Sequence, residues 1–456
     1  MQGAQLDGMI CLTSCDKLPP AHLMAAGRLN IPTILVVCGY QPSGTYAGER
    51  VDIEDLWFGS VQHNFGKLDA TTLKGMSDNA VRGPGVCSGM ATANSMHVVC
   101  EALGMTLPGS APVLAESPRM KALARESGKR IVEMVLEDLK PRDIMTAGAF
   151  RNAVAAVLAV SGSINCIKHL QATAIETGVE IDIFKQFTEM GGRIPVLAAV
   201  KPNGEDTIED FEAAGGARAL LKQLAPLIET DVLTVTGKTL AANLAAVTVA
   251  NEEVIRPIAR PFSTKSPIVV LRGSLAEDSA IVKLGVRDGR RRTQFTGPAL
   301  VFDDAPSALT AIGDGAVKPG AVLVVRGMGL KGGPAMAGSA SRVVFALDAA
   351  GLSQQVAFVT DGQLSGLCNR GITVAEVSPE AAVGGALAFV ENGDEIAIDV
   401  DRQQLDLNVA PAEIEARRTR LGEVPMNKAS GYLAIYRRTV QPMPTGAVHV
   451  IPEDRV

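Results

Sequence analysis

Two short apolar runs stand near the start of the chain. Gly8-Met9-Ile10-Cys11-Leu12 is the first and Thr33-Ile34-Leu35-Val36-Val37-Cys38 the second. Brief continuous apolar runs bounded by turn residues read as buried strands. Ala21 to Leu29 lies between them and reads as a helix, so the stretch predicts a βαβ unit. The loop after the first strand is Thr13-Ser14-Cys15-Asp16-Lys17-Leu18-Pro19-Pro20. Its two prolines suit the first turn of a helix, where a missing N–H costs nothing. In such units ligands bind at loops leaving the carboxyl ends of strands. Cys15, Asp16 and Lys17 occupy that kind of loop as thiol, carboxylate and amine in succession. A solvated polar loop is the plainer reading of the same residues.

The pattern continues as α/β to about residue 118. Gly44 to Lys67 is polar and irregular and holds His63 and the only tryptophan, Trp57. Arg82-Gly83-Pro84-Gly85-Val86-Cys87-Ser88-Gly89-Met90 is rich in glycine and leads into a helix over 91–103. There Ala93, Met96, Cys100 and Leu103 recur at helical spacing. Cys87 therefore precedes a helix N-terminus, whose dipole and free N–H groups favour a thiolate. Cys100 falls on the apolar stripe and reads as core. Helices are predicted over 119–139, 147–158 and about 166–177, with Ser161-Gly162-Ser163-Ile164-Asn165 as a small-residue turn. A strand is predicted over 195–200, and a helix over 207–227 broken at Gly215-Gly216. Thr236-Gly237-Lys238-Thr239 lacks the upstream glycine of a phosphate loop.

Pro257, Pro261 and Pro267 punctuate a linker. After it come short strands at 268–272, 299–302, 321–326, 356–359 and 395–400, with helices at 306–313 and 342–350. The spacing places a boundary near residue 265, with an α/β domain over 1–265 and a β-rich domain over 266–456.

Composition narrows the function. The 456 residues are 47% apolar and 20% charged, with a net charge of −6. That balance argues against a nucleic-acid partner, and Arg290-Arg291-Arg292 reads as a solvated turn. No apolar run reaches the roughly 18 residues of a membrane span, and no signal-peptide pattern opens the chain. No membrane partner and a cytoplasmic location are therefore expected. The seven cysteines are irregularly spaced and include no CxxC pair. They read as reduced thiols rather than a disulfide framework or a structural zinc site.

Five groups of residues share one pattern: Cys15-Asp16-Lys17; the stretch from Gly83 to Met96; Lys331-Gly332-Gly333-Pro334-Ala335-Met336; Thr360-Asp361-Gly362-Gln363-Leu364-Ser365-Gly366; and Val377-Ser378-Pro379-Glu380-Ala381. Together they closely resemble the dihydroxy-acid dehydratase family, which also contains the aldonate and 6-phosphogluconate dehydratases. The fold expected is an N-terminal three-layer α/β domain followed by a β-barrel-like domain. The resemblance implies removal of water from a small 2,3-dihydroxy acid to give a 2-keto acid, first of all as in branched-chain amino-acid biosynthesis. An aldonate dehydratase or a catalytically impaired paralogue with a binding role is the alternative. The implied cofactors are a [2Fe–2S] or [4Fe–4S] cluster held by three cysteines, and Mg²⁺.

Cys15 and Cys87 match two of the cluster cysteines. Asp16 and a carboxylated Lys17 match ligands of Mg²⁺, and Ser365 matches the serine that takes the C2 proton as an alkoxide. Substrate contacts are expected from Ser163, Asn165, Asp361 and His63, with Asp361 equally readable as backbone glue. A homo-oligomer, dimer or tetramer, is expected. The family's remaining cluster cysteine and a glutamate ligand of Mg²⁺ normally lie in a stretch before the point matched by Met1. Cys11 is a candidate replacement thiolate, but its strand should turn it into the core. Gly338 and Met328 stand where the family carries acids, and Gln363 where it commonly carries arginine.

Overall fold

The first strand, β1 (Met9–Thr13), pairs in parallel with β2 (Thr33–Val37), in register from Met9 opposite Thr33 to Thr13 opposite Val37. All of β2 is buried, as its unbroken apolar run requires. Helix α1 (Leu18–Leu29) connects them. Pro19 and Pro20 sit in its first turn and Asn30 closes it in the left-handed region. The coordinates are those of a computed structural model and describe residues 1–286, 292–333, 337–424 and 429–449. Arg290, Arg291 and residues 334–336 of the glycine-rich loop lie outside the described residues.

The chain divides into two compact units, one of residues 1–57 and 70–266, the other of 58–69 and 267–456. In the first, the expected central sheet is a two-stranded ladder, extended only by single bridges from Leu35 to Thr106 and from Tyr40 to Val86 and Leu114. Helices supply most of the core. Residues 44–64, expected to be irregular, form the hairpin β3 (Gly44–Tyr46) and β4 (Glu49–Val51) and then α2 (Ile53–Asn64), whose residues from 58 onward are counted with the second unit. Then follow α3 (Ala70–Ala80), α4 (Thr92–Ala102), α5 (Pro118–Glu137), α6 (Pro141–Ile144), α7 (Ala147–Ala159), α8 (Asn165–Thr177) and α9 (Ile183–Met190). The predicted helix over 207–227 is split by its two glycines into α10 (Ile208–Ala213) and α11 (Gly216–Leu224), and α12 (Leu240–Leu244) completes the unit. The predicted strand at 195–200 is not a strand. Val196 and Val200 make single bridges to Ser263 and Asp206, because no continuous partner runs beside them. Helix α4 is the axis of this unit: every residue of it is buried, and it packs against α1, α7, α8 and α11.

The second unit is a closed eight-stranded barrel. Its strands are β5 (Ile268–Gly273), β6 (Ala276–Lys283), β7 (Gln294–Phe302), β8 (Val322–Val325), β9 (Ala357–Thr360), β10 (Thr373–Ser378), β11 (Glu395–Asp399) and β12 (Gln404–Leu407). They run in the order β10-β6-β5-β12-β11-β7-β8-β9. Strands β7, β8, β9 and β10 pair in parallel, and α13 (Ala305–Gly313) and α14 (Ala337–Ala349) connect three of them. Leu271, Val282, Phe295, Val324, Val359, Ile396 and Leu405 help fill the barrel core. Strands β6, β10 and β12 were not foreseen. Asp278, Glu376 and Asp406 interrupt their apolar pattern, and closure of the barrel recruits them nonetheless. Helices α15 (Pro411–Leu421) and α16 (Gly431–Thr439) follow the barrel strands.

Candidate active site

In the first unit the site forms at the carboxyl end of β1. The ladder stops at Thr13, and the loop then carries exposed Cys15, half-buried Asp16 and exposed Lys17 into the cap of α1. Two histidines hold this loop. His97 of α4 meets the Ser14 carbonyl through Nε2 at 3.1 Å. Lys17 Nζ donates to His169 Nε2 at 3.3 Å and lies 3.8 Å from Asp16 Oδ2. A lysine ammonium only donates, so His169 must accept there as a neutral imidazole. Its pKa is held well below the usual value by burial and by the charges of Lys17 and Lys168.

Cys87 arrives from the glycine-rich loop. Val86 bridges Tyr40, with its N–H on the Gly39 carbonyl at 2.9 Å and its carbonyl accepting from Gln41 at 2.8 Å. Gly85 sits at φ 128°, where a Cβ would lie 2.4 Å from the Tyr40 backbone, so only glycine fits. Asn94 folds the loop over the start of α4 by donating to the carbonyls of Cys87 (2.7 Å) and Gly89 (2.8 Å). Sequence reasoning expected the helix terminus to favour a Cys87 thiolate. Helix α4 starts at Thr92, within one residue of the expected position, but the surroundings of the thiol correct this reading. Burial, then the charges of Glu54, Cys15 and Asp16, push the Cys87 thiol up to about 12. Glu54 was not singled out from the sequence. It is buried with its carboxylate against Gly89, where a Cβ would come within 2.2 Å.

Ser163 and Asn165 are fully buried. Ser163 Oγ pairs with Thr92 Oγ1 at 2.7 Å, its N–H donates to Ser95 Oγ at 3.0 Å, and Asn165 Nδ2 donates to Thr92 Oγ1 at 3.0 Å. The pair ties the start of α8 to the first turn of α4. Cys11 is buried, and its thiol is pushed up to about 11 by burial.

In the second unit, half-buried Ser365 follows β9 on a tight loop. Its N–H donates to Ser341 Oγ at 2.8 Å, and its Oγ accepts from the Leu367 N–H at 3.3 Å. Buried Lys283 holds the next carbonyl, that of Gly366, at 3.2 Å. Asp361 is buried and accepts N–H groups from Gly327 (3.1 Å), Met328 (2.8 Å) and Ala381 (3.0 Å), an arrangement that fixes three loops together. A cavity of about 320 Å³ opens beside it, lined in part by Asp278, Glu376, Ser378, Glu380 and Met443. Burial pushes Glu380 up to about 7. His63 lies on α2, not on an irregular loop, and its Nδ1 meets the Leu68 carbonyl at 2.8 Å.

The thiol donors suit an iron–sulfur cluster: Cys15 is exposed and Cys87 half-buried, and the charge of Cys15 is among those that act on Cys87. Donors for a hard cation are fewer, since Asp16 offers oxygen while Lys17 offers it only after carboxylation. Among the described residues no three His, Cys, Asp or Glu side chains converge closely enough to hold one metal ion.

Comparison with known proteins identifies the chain as a hydro-lyase. The chain belongs to the dihydroxy-acid/6-phosphogluconate dehydratase family, whose N-terminal profile matches residues 1–243 and whose C-terminal profile matches 253–447. It is 40% identical to the dihydroxy-acid dehydratase of Sulfurisphaera tokodaii over 448 residues, 97% of this chain and 79% of that one. It is 41% identical to that of Moorella thermoacetica over 447 residues, 97% and 80% of the two chains. With that of Methanococcoides burtonii the identity is 40% over 452 residues, 98% and 81%.

Proposed function

We propose that the chain dehydrates a branched-chain 2,3-dihydroxy acid to the 2-keto acid. The observation that carries this reading is the Cys15-Asp16-Lys17 loop, held by His97 and His169 beside Cys87, in a chain about 40% identical to dihydroxy-acid dehydratases. Cys15 and Cys87 would hold the iron–sulfur cluster, and Asp16 with carboxylated Lys17 would hold Mg²⁺. When bound, these groups would supply Lewis acidity for the departing 3-hydroxyl. Ser365 takes the proton from C2. The C2–H and C3–O bonds break, water leaves, and the enol formed tautomerises to the keto acid. Asp361 keeps the Ser365 loop in place, and neutral His169 keeps Lys17 at the site.

A second reading, a catalytically impaired binding protein, is favoured by one observation. Met328 is buried and apolar and Gly338 has no side chain, at positions where the family resemblance calls for acids. Val132 and Leu136 on α5, and Tyr432, Leu433 and Ile435 on α16, are exposed apolar residues that support a homo-oligomer, dimer or tetramer. The test is an anaerobic assay of the reconstituted chain with Mg²⁺, offering a branched-chain dihydroxy acid and an aldonate in turn and trapping keto acid as its hydrazone. Turnover of the branched-chain acid that Ser365→Ala abolishes, with its melting temperature unchanged, is the expected result. Aldonate turnover alone would move the assignment to the sugar-acid branch, and no turnover with either would favour the impaired paralogue.

A further inference from the structure

Strand β6 ends at Lys283, a lysine only 1% exposed. Lysine is rarely buried, because its ammonium loses its hydration there. Lys283 Nζ reaches the loop after β9 and donates to the Gly366 carbonyl at 3.2 Å. That carbonyl belongs to the residue after Ser365. The turn around it is tight. The Cys368 N–H donates to the Ser365 carbonyl at 3.1 Å, and the Leu367 N–H donates to Ser365 Oγ at 3.3 Å. Ser341 of α14 holds the Ser365 N–H from the other side, at 2.8 Å. A Cβ on Gly285, two residues past Lys283, would meet the Asn369 carbonyl at 3.6 Å, so the end of β6 lies against this loop. The Lys283 charge reaches into the turn. Burial pushes the Cys368 thiol up to about 12, while Ser341, the Ser365 backbone and the charge of Lys283 act against it. The neighbouring charges have other engagements. Asp361 accepts three N–H groups and Arg370 pairs with Asp348. Arg342, next to Ser341, is exposed, and Asp278, Lys331, Glu376 and Glu380 line the cavity beside Asp361.

We propose that Lys283 is a positioning residue for the dehydration: its buried ammonium fixes the Ser365 turn through the Gly366 carbonyl and supplies positive charge that favours Ser365 as an alkoxide, an inference that rests on the role given to Ser365 above. A serine hydroxyl is a very weak acid. To take the C2 proton, Ser365 must first give its own to solvent, and the negative oxygen left behind sits in a half-buried loop. A fixed cation nearby favours that charged form, and more so where water is scarce. Consecutive Cα atoms lie about 3.8 Å apart, so an ammonium on the Gly366 carbonyl stands within roughly 8 Å of Ser365 Oγ. At that distance and an effective dielectric constant of about 20, one unit charge shifts an ionisation by about one to two pH units. A hydrogen bond alone would hold the turn without that shift, so the two roles of Lys283 are separable.

The test puts a thiol at the serine position of the 456-residue chain. In Ser365→Cys, the rate of iodoacetamide labelling at position 365, read peptide by peptide against pH, reports its ionisation with no metal or cluster bound. This thiol should titrate below the usual value of about 8.5. Adding Lys283→Met should raise it by about one pH unit or more, and adding Lys283→Arg should leave it nearly unchanged. In the reconstituted chain with its native serine, Lys283→Met should lower kcat about tenfold with KM little changed, and Lys283→Arg should keep most of the rate. Equal titration of Ser365→Cys with and without Lys283→Met overturns the proposal, and turnover that Ser365→Ala abolishes then leaves the functional reading standing. An unchanged kcat in Lys283→Met overturns the proposal in the same way. Turnover that survives Ser365→Ala overturns both. Should Lys283→Met fail to fold by circular dichroism, the single variant decides: a thiol at position 365 that titrates at or above about 8.5 overturns the proposal.

Discussion

His97 and Glu101 lie one turn apart on buried α4, and their ionisation should pull the stability of the first unit in opposite directions. Burial lowers His97 from 6.5 to about 4, and burial raises Glu101 from 4.5 to about 7 despite the N–H groups of Gly109 and Ala111 that it accepts. Between pH 4.5 and 6.5 the unfolded chain carries a proton on the histidine that the folded chain lacks. Over the same window the folded chain carries a proton on the glutamate that the unfolded chain lacks. Stability rises with pH where the unfolded state binds more protons, so the histidine term rises and the glutamate term falls, each by about 1.4 kcal/mol per pH unit. Over two units each amounts to about 3 kcal/mol, and in the wild type the two nearly cancel. His97→Gln removes one slope while keeping a donor for the Ser14 carbonyl; Glu101→Gln removes the other. Urea unfolding at pH 4.5, 5.5 and 6.5, followed through Trp57, reports on this unit, where that residue lies. His97→Gln should lose stability as pH rises and Glu101→Gln should gain it. Identical pH slopes in both variants and the wild type would refute the reasoning.

Three further outcomes are expected. Arg417 is buried in a bidentate pair with Asp394, so Arg417→Ala should leave a carboxylate uncompensated and cost the barrel unit about 3 kcal/mol in denaturant unfolding. Asp361→Asn presents one acceptor oxygen to three N–H donors and should cost about 2 kcal/mol, seen as a lower melting temperature of the same unit. Thr207 caps α10 in a reciprocal box with Asp210, so Thr207→Ala should cost about 1 kcal/mol and raise amide exchange in that helix alone.

The sequence by itself determined the elements whose signal is local. The two apolar runs became β1 and β2, the prolines after Lys17 opened α1, and paired glycines split 207–227 where expected. The chemical triplet Cys15-Asp16-Lys17 was equally legible, because it is contiguous and a strand pattern precedes it. What stayed hidden depends on partners distant in sequence. Strands β6, β10 and β12 carry charges that hide their periodicity, and only closure of the barrel makes them strands. The segment at 195–200 is apolar enough for a strand but finds no continuous neighbour. Burial and the charge of Glu54 reverse the thiolate expected at Cys87. Cys38 is the plainest case. In the sequence it is the last apolar residue of a strand, indistinguishable from Cys11. Only the pairing of β2 with β1, and of Tyr40 with Val86, leaves Cys38 half-buried where the ladder ends while Cys11 is buried, since burial is a property of neighbours that a local pattern does not contain.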